Sequence, residues 1–182
     1  MKKIKTIGLL AALLCLVFIV NVTIFQGQLN RFGIMPRHVG GLVGIIFSPF
    51  LHGNSSHLFN NLMGLSLFAL ITMAHGIRYF WRVSFLIILL GGFGVWLFGR
   101  NNIHIGASGW IFGLWALSIA NAWYNRSFKT FIIAIAVIIF WGGMIWGVLP
   151  SAPQVSFEAH LFGALAGIIA AAKLPKQWRR RR

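Results

Sequence analysis

Six apolar stretches of 17 to 19 residues fill most of this chain: residues 7–25, 57–74, 81–98, 108–124, 131–149 and 157–174. About 20 mostly apolar residues make a helix long enough to cross the hydrocarbon core of a bilayer. In that core every backbone N–H and C=O needs a partner, and a helix supplies those partners from within itself. The expected fold is therefore an all-α membrane protein, a bundle of six transmembrane helices. Composition agrees: 58% of the 182 residues are apolar and 9% are charged, against about 25% charged in a typical soluble domain. A chain of this length suits one domain over residues 1–182, with residues 175–182 as a basic tail.

The first stretch could be taken for a cleaved signal. A signal has an apolar core of about 7–15 residues followed by a small-x-small site. Here the run covers 19 residues and ends at Phe25-Gln26, so a retained first helix is expected. The loop from Gln26 to Ser56 contains a second apolar run, Val39 to Leu51, which holds three glycines and Pro49 and is too short to span. It is expected to lie in the interface or to be partly re-entrant. The lone Cys15 cannot close a disulfide within the chain.

Charge sets the expected orientation. With the N-terminus in the cytoplasm, the inner segments carry 13 of the 16 Lys and Arg residues, and only Arg31, Arg37 and Arg100 lie outside. That is the positive-inside bias, and it fits an even number of spans with both termini cytoplasmic. The expected location is the plasma membrane, the inner membrane of a bacterium. The net charge of +15 sits between spans and at the tail, which points to the lipid surface and away from nucleic acid.

This topology brings three polar groups level. His57 opens the second helix, Ser108 opens the fourth and His160 comes early in the sixth, and all three of these helices run from outside to inside. At a helix start the first N–H groups lack intrahelical partners and the local dipole favours negative charge, so an oxyanion formed beside Ser108 would meet donors. The plain alternative is that Ser108 only caps the helix. The frame Gly106-Ala107-Ser108-Gly109 favours chemistry, because its glycines permit close backbone approach. A histidine in an apolar helix is costly unless it is paired or faces water, so His160 is either a base for Ser108 or a ring satisfied by a backbone carbonyl.

Small residues provide a route for the two to meet. Gly109, Gly113, Ala116 and Ala120 form one stripe, and His160, Gly163 and Gly167 form another. Such stripes let membrane helices pack closely. His57 and Asn61 share a face at i and i+4 and can donate to developing negative charge, or else serve as polar glue between helices. The single acid, Glu158, lies two residues from His160 and points elsewhere on a helix. That leaves a Ser-His dyad without a carboxylate. His104, four residues before Ser108, is a weaker candidate base. Five histidines on the outer side raise the question of a metal, but there is no His-Glu-x-x-His and almost no carboxylate or thiolate, so no metal is expected.

Taken together, Phe50-Leu51-His52-Gly53, His57-x-x-x-Asn61, Gly106-x-Ser108-Gly109 and Ala159-His160-x-x-Gly163 resemble the rhomboid family of intramembrane serine proteases, in its minimal bacterial six-helix form. The similarity runs over roughly residues 32–172. It implies Ser108 as nucleophile, His160 as general base and acid, and an oxyanion hole made by His57, Asn61 and the Ser108 backbone N–H. Gly106, Gly109, Phe112 and Gly163 would support these groups. It implies cleavage of transmembrane segments of membrane proteins near their outer ends, with no cofactor. Two departures stand out. Phe112 occupies a position where many members carry tyrosine, keeping the ring beneath the histidine and losing the hydroxyl. The first outer loop also lacks the Trp-Arg pair that many members have there. A rhomboid-like protein that binds membrane proteins without cutting them is the alternative within the family, and a small transporter is the alternative outside it.

Overall fold

The computed structural model describes residues 1–150, 152 and 154–174; the basic tail, 175–182, lies outside the described residues. The regular elements described are helical: α1 (Lys2–Thr23), the short α2 (Gly44–Phe47), α3 (Ser55–Met73), α4 (Ile77–Phe98), α5 (Ser108–Asn125), α6 (Phe128–Trp141) and α7 (Phe157–Lys173). Each of the six predicted apolar segments is a helix, with shifted ends. α4 begins at Ile77, four residues ahead of the predicted Trp81. The fifth segment is α-helical only to Trp141 and continues as a 3₁₀ helix, Gly142–Val148. The change comes at Gly142-Gly143, where helix propensity is weakest.

Four elements are long and apolar enough to cross a membrane: α1, α3, α4, and α6 with its 3₁₀ extension. α5 and α7 are not among them. α7 has 17 residues, and α5 carries Ser, Gly and Asn among its apolar residues. α5 forms the interior of the bundle, and α7 turns one face to it while Leu165, Ile168 and Ile169 stay exposed. α5 is buried without a break from Trp110 to Ser118, and α7 lies along it.

Glycine sets that approach. A Cβ at Gly163 would collide with the Gly109 carbonyl, and one at Gly167 with the Gly113 carbonyl. One at Gly109 would come 2.9 Å from the Ala159 carbonyl oxygen, and one at Gly113 2.9 Å from that of Gly163. The two small stripes therefore meet backbone to backbone. Around them Phe68, Met73, Phe80, Ile87, Leu114, Leu117 and Val137 fill one core.

The apolar run in the first outer loop is a string of short helical turns, Val39–Val43, α2 and Ser48–Phe50. Ile45 packs on α4 at Gly92, while Val39 and Phe47 stay exposed. Among the described residues strand-like pairing is confined to one bridge, Ile34 with His104, which joins this loop to the α4–α5 connection.

Candidate active site

α5 starts at Ser108 itself. Ala107 holds the N-cap position and no side chain caps the helix. The capping role considered for Ser108 is thus not the one it fills, and the residue is half-buried. The other helices at this end do use side-chain caps: Asn54 accepts from the His57 N–H on α3, and Ser156 accepts from the Ala159 N–H on α7.

His160 lies on the first turn of α7, above the glycine seam. Its ring stacks face to face on Phe112, with centroids 4.0 Å apart and planes 3° from parallel. Phe112 is one turn below Ser108 on α5. The second restraint comes from the 3₁₀ extension of α6, where the Gly147 carbonyl oxygen sits 2.8 Å from His160 Nδ1. A carbonyl only accepts, so Nδ1 carries the proton and Nε2 keeps the lone pair. That is the tautomer a general base requires. Ser108 and His160 are not hydrogen-bonded to each other among the described residues, a pairing that commonly tightens only when substrate binds. Of the two readings of His160 left open by the sequence, the backbone carbonyl is the one seen here, at Nδ1; a base for Ser108 would have to use Nε2.

His57 and Asn61 lie on the first turns of α3, facing the same region. A Cβ on Gly106 would collide with the His57 ring, and Gly106 has φ +111°. Glycine is needed there twice, for backbone conformation and for space. Asn61 is buried and donates from Nδ2 to the His57 carbonyl at 2.7 Å; its Oδ1 has no partner. His52 stands edge-on to His57, with centroids 5.1 Å apart. It is 1% exposed, and neither ring nitrogen makes a hydrogen bond. Burial, reinforced by His57, pushes its pKa down to about 4.

The remaining candidates are engaged elsewhere. Glu158 is 3% exposed and forms an ion pair with Arg100, Nε to Oε1 at 2.5 Å. The carboxylate also accepts from the Arg100 backbone N–H at 3.1 Å and from Nη2 at 3.2 Å. In return it holds the Arg100 guanidinium above its ordinary pKa. Both nitrogens of His104 are occupied, Nδ1 by Ser156 Oγ at 2.6 Å and Nε2 by the Arg100 carbonyl at 3.0 Å, so it has no lone pair to offer Ser108. His75 lies at the far end of α3 beside Tyr79. Among the described residues no three of His, Cys, Asp and Glu cluster as metal ligands would. Sequence reasoning missed Gly147, whose carbonyl does the work and leaves no side-chain signal. It also missed the Arg100–Glu158 pair, for which a lone acid in a basic chain was the available clue.

A model of the rhomboid domain matches residues 39–177. The chain belongs to the rhomboid family. Rhomboids are intramembrane serine proteases, and this chain is an integral membrane protein. The rhomboid match takes in α2 through α7 and so includes all of the residues above; α1 precedes it. Uncharacterized proteins of Mycobacterium tuberculosis and Mycobacterium bovis are each 37% identical over 176 residues, covering 91% of this chain and 72% of the relative. One from Mycobacterium leprae is 33% identical over the same length, covering 91% and 69%.

Proposed function

We propose that this rhomboid is an intramembrane serine endopeptidase that cuts transmembrane segments of membrane proteins. The observation that carries the reading is the anchoring of His160. Phe112 fixes the plane of its ring and Gly147 fixes its tautomer, leaving Nε2 as the open nitrogen at the end of α5 where Ser108 begins the helix.

In this mechanism Ser108 Oγ attacks the scissile carbonyl carbon while its proton passes to His160 Nε2. The resulting oxyanion receives the Ser108 N–H, the His57 ring and the second N–H of Asn61, at the positive end of the α5 dipole. Collapse breaks the C–N bond, and His160 returns the proton to the leaving amine. Water then attacks the acyl-enzyme by the same route. The buried, Arg100-paired Glu158 takes no proton in this scheme.

The topology that goes with this reading is one domain of six spans, α1, α3, α4, α5, α6 and α7, with both termini cytoplasmic in the plasma membrane. α5 crosses within the shelter of the others, and α7 crosses beside it with Leu165, Ile168 and Ile169 facing outward. The partners are transmembrane substrates and the bilayer, with no nucleic acid, metal or cofactor. Reporter fusions after each helix test the orientation.

Ser108→Ala should abolish cleavage of a reporter transmembrane substrate and labelling by a fluorophosphonate, while the protein stays folded. Unchanged cleavage would sink the reading. The absence of a Ser108–His160 hydrogen bond is what favours the second reading, a rhomboid-like protein that binds membrane helices without cutting them. Binding of client helices with no labelling of the native protein would select it.

A further inference from the structure

We infer that Arg100 and His104, on the loop that delivers Ser108, are positioning residues that lock the first turn of α7 and thereby set His160 against the nucleophile. The inference rests on the reading of Ser108 and His160 as the dyad.

The loop of residues 99–107 runs directly into Ser108. Two of its side chains cross to α7. Arg100 holds the Glu158 carboxylate and also donates to the Val155 carbonyl at 2.8 Å. His104 holds the hydroxyl of Ser156. Both targets lie within one turn of His160. Ser156 is tied to it through the backbone, since its carbonyl accepts the His160 N–H at 3.4 Å and its hydroxyl accepts the Ala159 N–H at 3.2 Å. The loop itself is pinned from behind, His104 exchanging both backbone hydrogen bonds with Ile34 at 2.9 Å and the Gly106 N–H donating to Ser48 at 2.8 Å.

These bridges supply something the glycine seam does not. Backbone contact at Gly109 and Gly163 sets how close α5 and α7 come. Two side-chain bridges at different points of the α7 first turn fix its rotation, and rotation decides where an imidazole points. The ion pair is also unambiguous. Glu158 is the only acid in a chain with 16 Lys and Arg residues, and the partner it takes is on the nucleophile's own loop. Because Arg100 neutralises it, the carboxylate acts through geometry and not as a third member of a relay.

The test uses the full-length protein in proteoliposomes, with reporter cleavage for kcat and KM and fluorophosphonate labelling of Ser108, each per folded molecule. Arg100→Ala, Glu158→Gln and the double variant should each lose about ten- to a hundredfold in kcat and labelling rate, with KM within about twofold, as expected for a misplaced reacting group. Since both substitutions open one clamp, the double should lose no more than the worse single. His104→Ala should lose less, with the Ser156 cap on the Ala159 N–H left in place. Wild-type rates in folded Arg100→Ala, Glu158→Gln or His104→Ala protein would overturn the inference. So would losses that multiply in the Arg100–Glu158 double. If the charge variants do not fold, His104→Ala decides. Failure of the unsubstituted protein to label would overturn the protease reading instead, which keeps the two failures apart.

Discussion

α6 and the α5–α7 pair solve opposite problems. α6 turns Ile132, Ile135, Ile138, Ile139 and Phe140 outward and buries only Thr130, Ala134 and Val137. α5 and α7 meet through Gly109, Gly113, Gly163 and Gly167 with no side-chain layer between them. Lipid tails are as apolar as leucine, so bulk apolarity does not draw helices together in a bilayer; close packing and polar contacts do. Apolarity therefore goes where the neighbour is lipid, and smallness where the neighbour is another backbone. The helices that carry Ser108 and His160 are the ones least like an isolated membrane span.

The sharpest way to break this contrast is at Ser108. Ser108→Ala should cut kcat for a reporter substrate on the order of 10⁶-fold, the scale seen when a serine nucleophile is removed, with thermal unfolding in detergent unchanged. Activity at wild-type level would move the site away from the α5–α7 pair altogether. Next comes the seam. Gly163→Val puts a branched side chain into the Gly109 carbonyl and should destabilise by about 3 kcal/mol or more. The control is Gly142→Ala, at φ −60°, where the nearest atom to a new Cβ is Ile138 Cγ2 at 3.9 Å. That change should be neutral or stabilising by up to about 1 kcal/mol. Equal effects at the two glycines would end the distinction between seam and periphery.

The polar wall beside the seam gives a pH test. His52 is neutral when folded, with its pKa pushed from 6.5 down to about 4, so between these values the unfolded chain binds the extra proton. The associated stability is fully present above pH 6.5 and is lost as pH falls through about 4, amounting to about 3 kcal/mol. Unfolding midpoints at pH 7 and pH 4.5 should show the loss, and His52→Asn should flatten it. An unchanged slope in that variant would assign the acid sensitivity elsewhere. The smallest effect is expected at the ring beneath the base. Phe112→Leu removes a stack worth about 0.5–1.5 kcal/mol and should lower kcat about threefold to tenfold, whereas Phe112→Tyr should keep the wild-type rate. A rate in Phe112→Leu equal to wild type would show that the Gly147 hydrogen bond orients His160 unaided.

Much of the architecture was legible because its signals are repeated along the chain. Apolar runs marked the positions of all six long helices, of which four are long and apolar enough to span, and the two small-residue stripes pointed to α5 and α7 as partners. Ser108, His57, Asn61 and His160 could be grouped from the sequence because each comes early in its predicted helix, and the structure does put them on the first turns of α5, α3 and α7. What the sequence could not decide was single-residue geometry. Ser108 is a good capping residue by type, yet the helix starts with it and leaves the cap to Ala107. In the fifth segment the Gly142-Gly143 pair was the one clue to the change to a tighter helix after Trp141, and apolar length alone passed over it. That change places the Gly147 carbonyl against His160. His104 had the spacing of a base, and only three-dimensional packing shows both its nitrogens taken. Backbone acceptors and pairings across more than fifty residues leave no periodic trace for a sequence to display.

The glycine seam also bears on how such a chain can drift over generations. On α6 an outward isoleucine can be exchanged for leucine, valine or phenylalanine with the lipid adjusting around it. At Gly163 and Gly167 the available alphabet has one letter, because the opposing surface is a carbonyl that no compensating side-chain change can shorten. Descendants of this sequence should therefore diverge freely where they are greasiest and hold still where their residues are smallest.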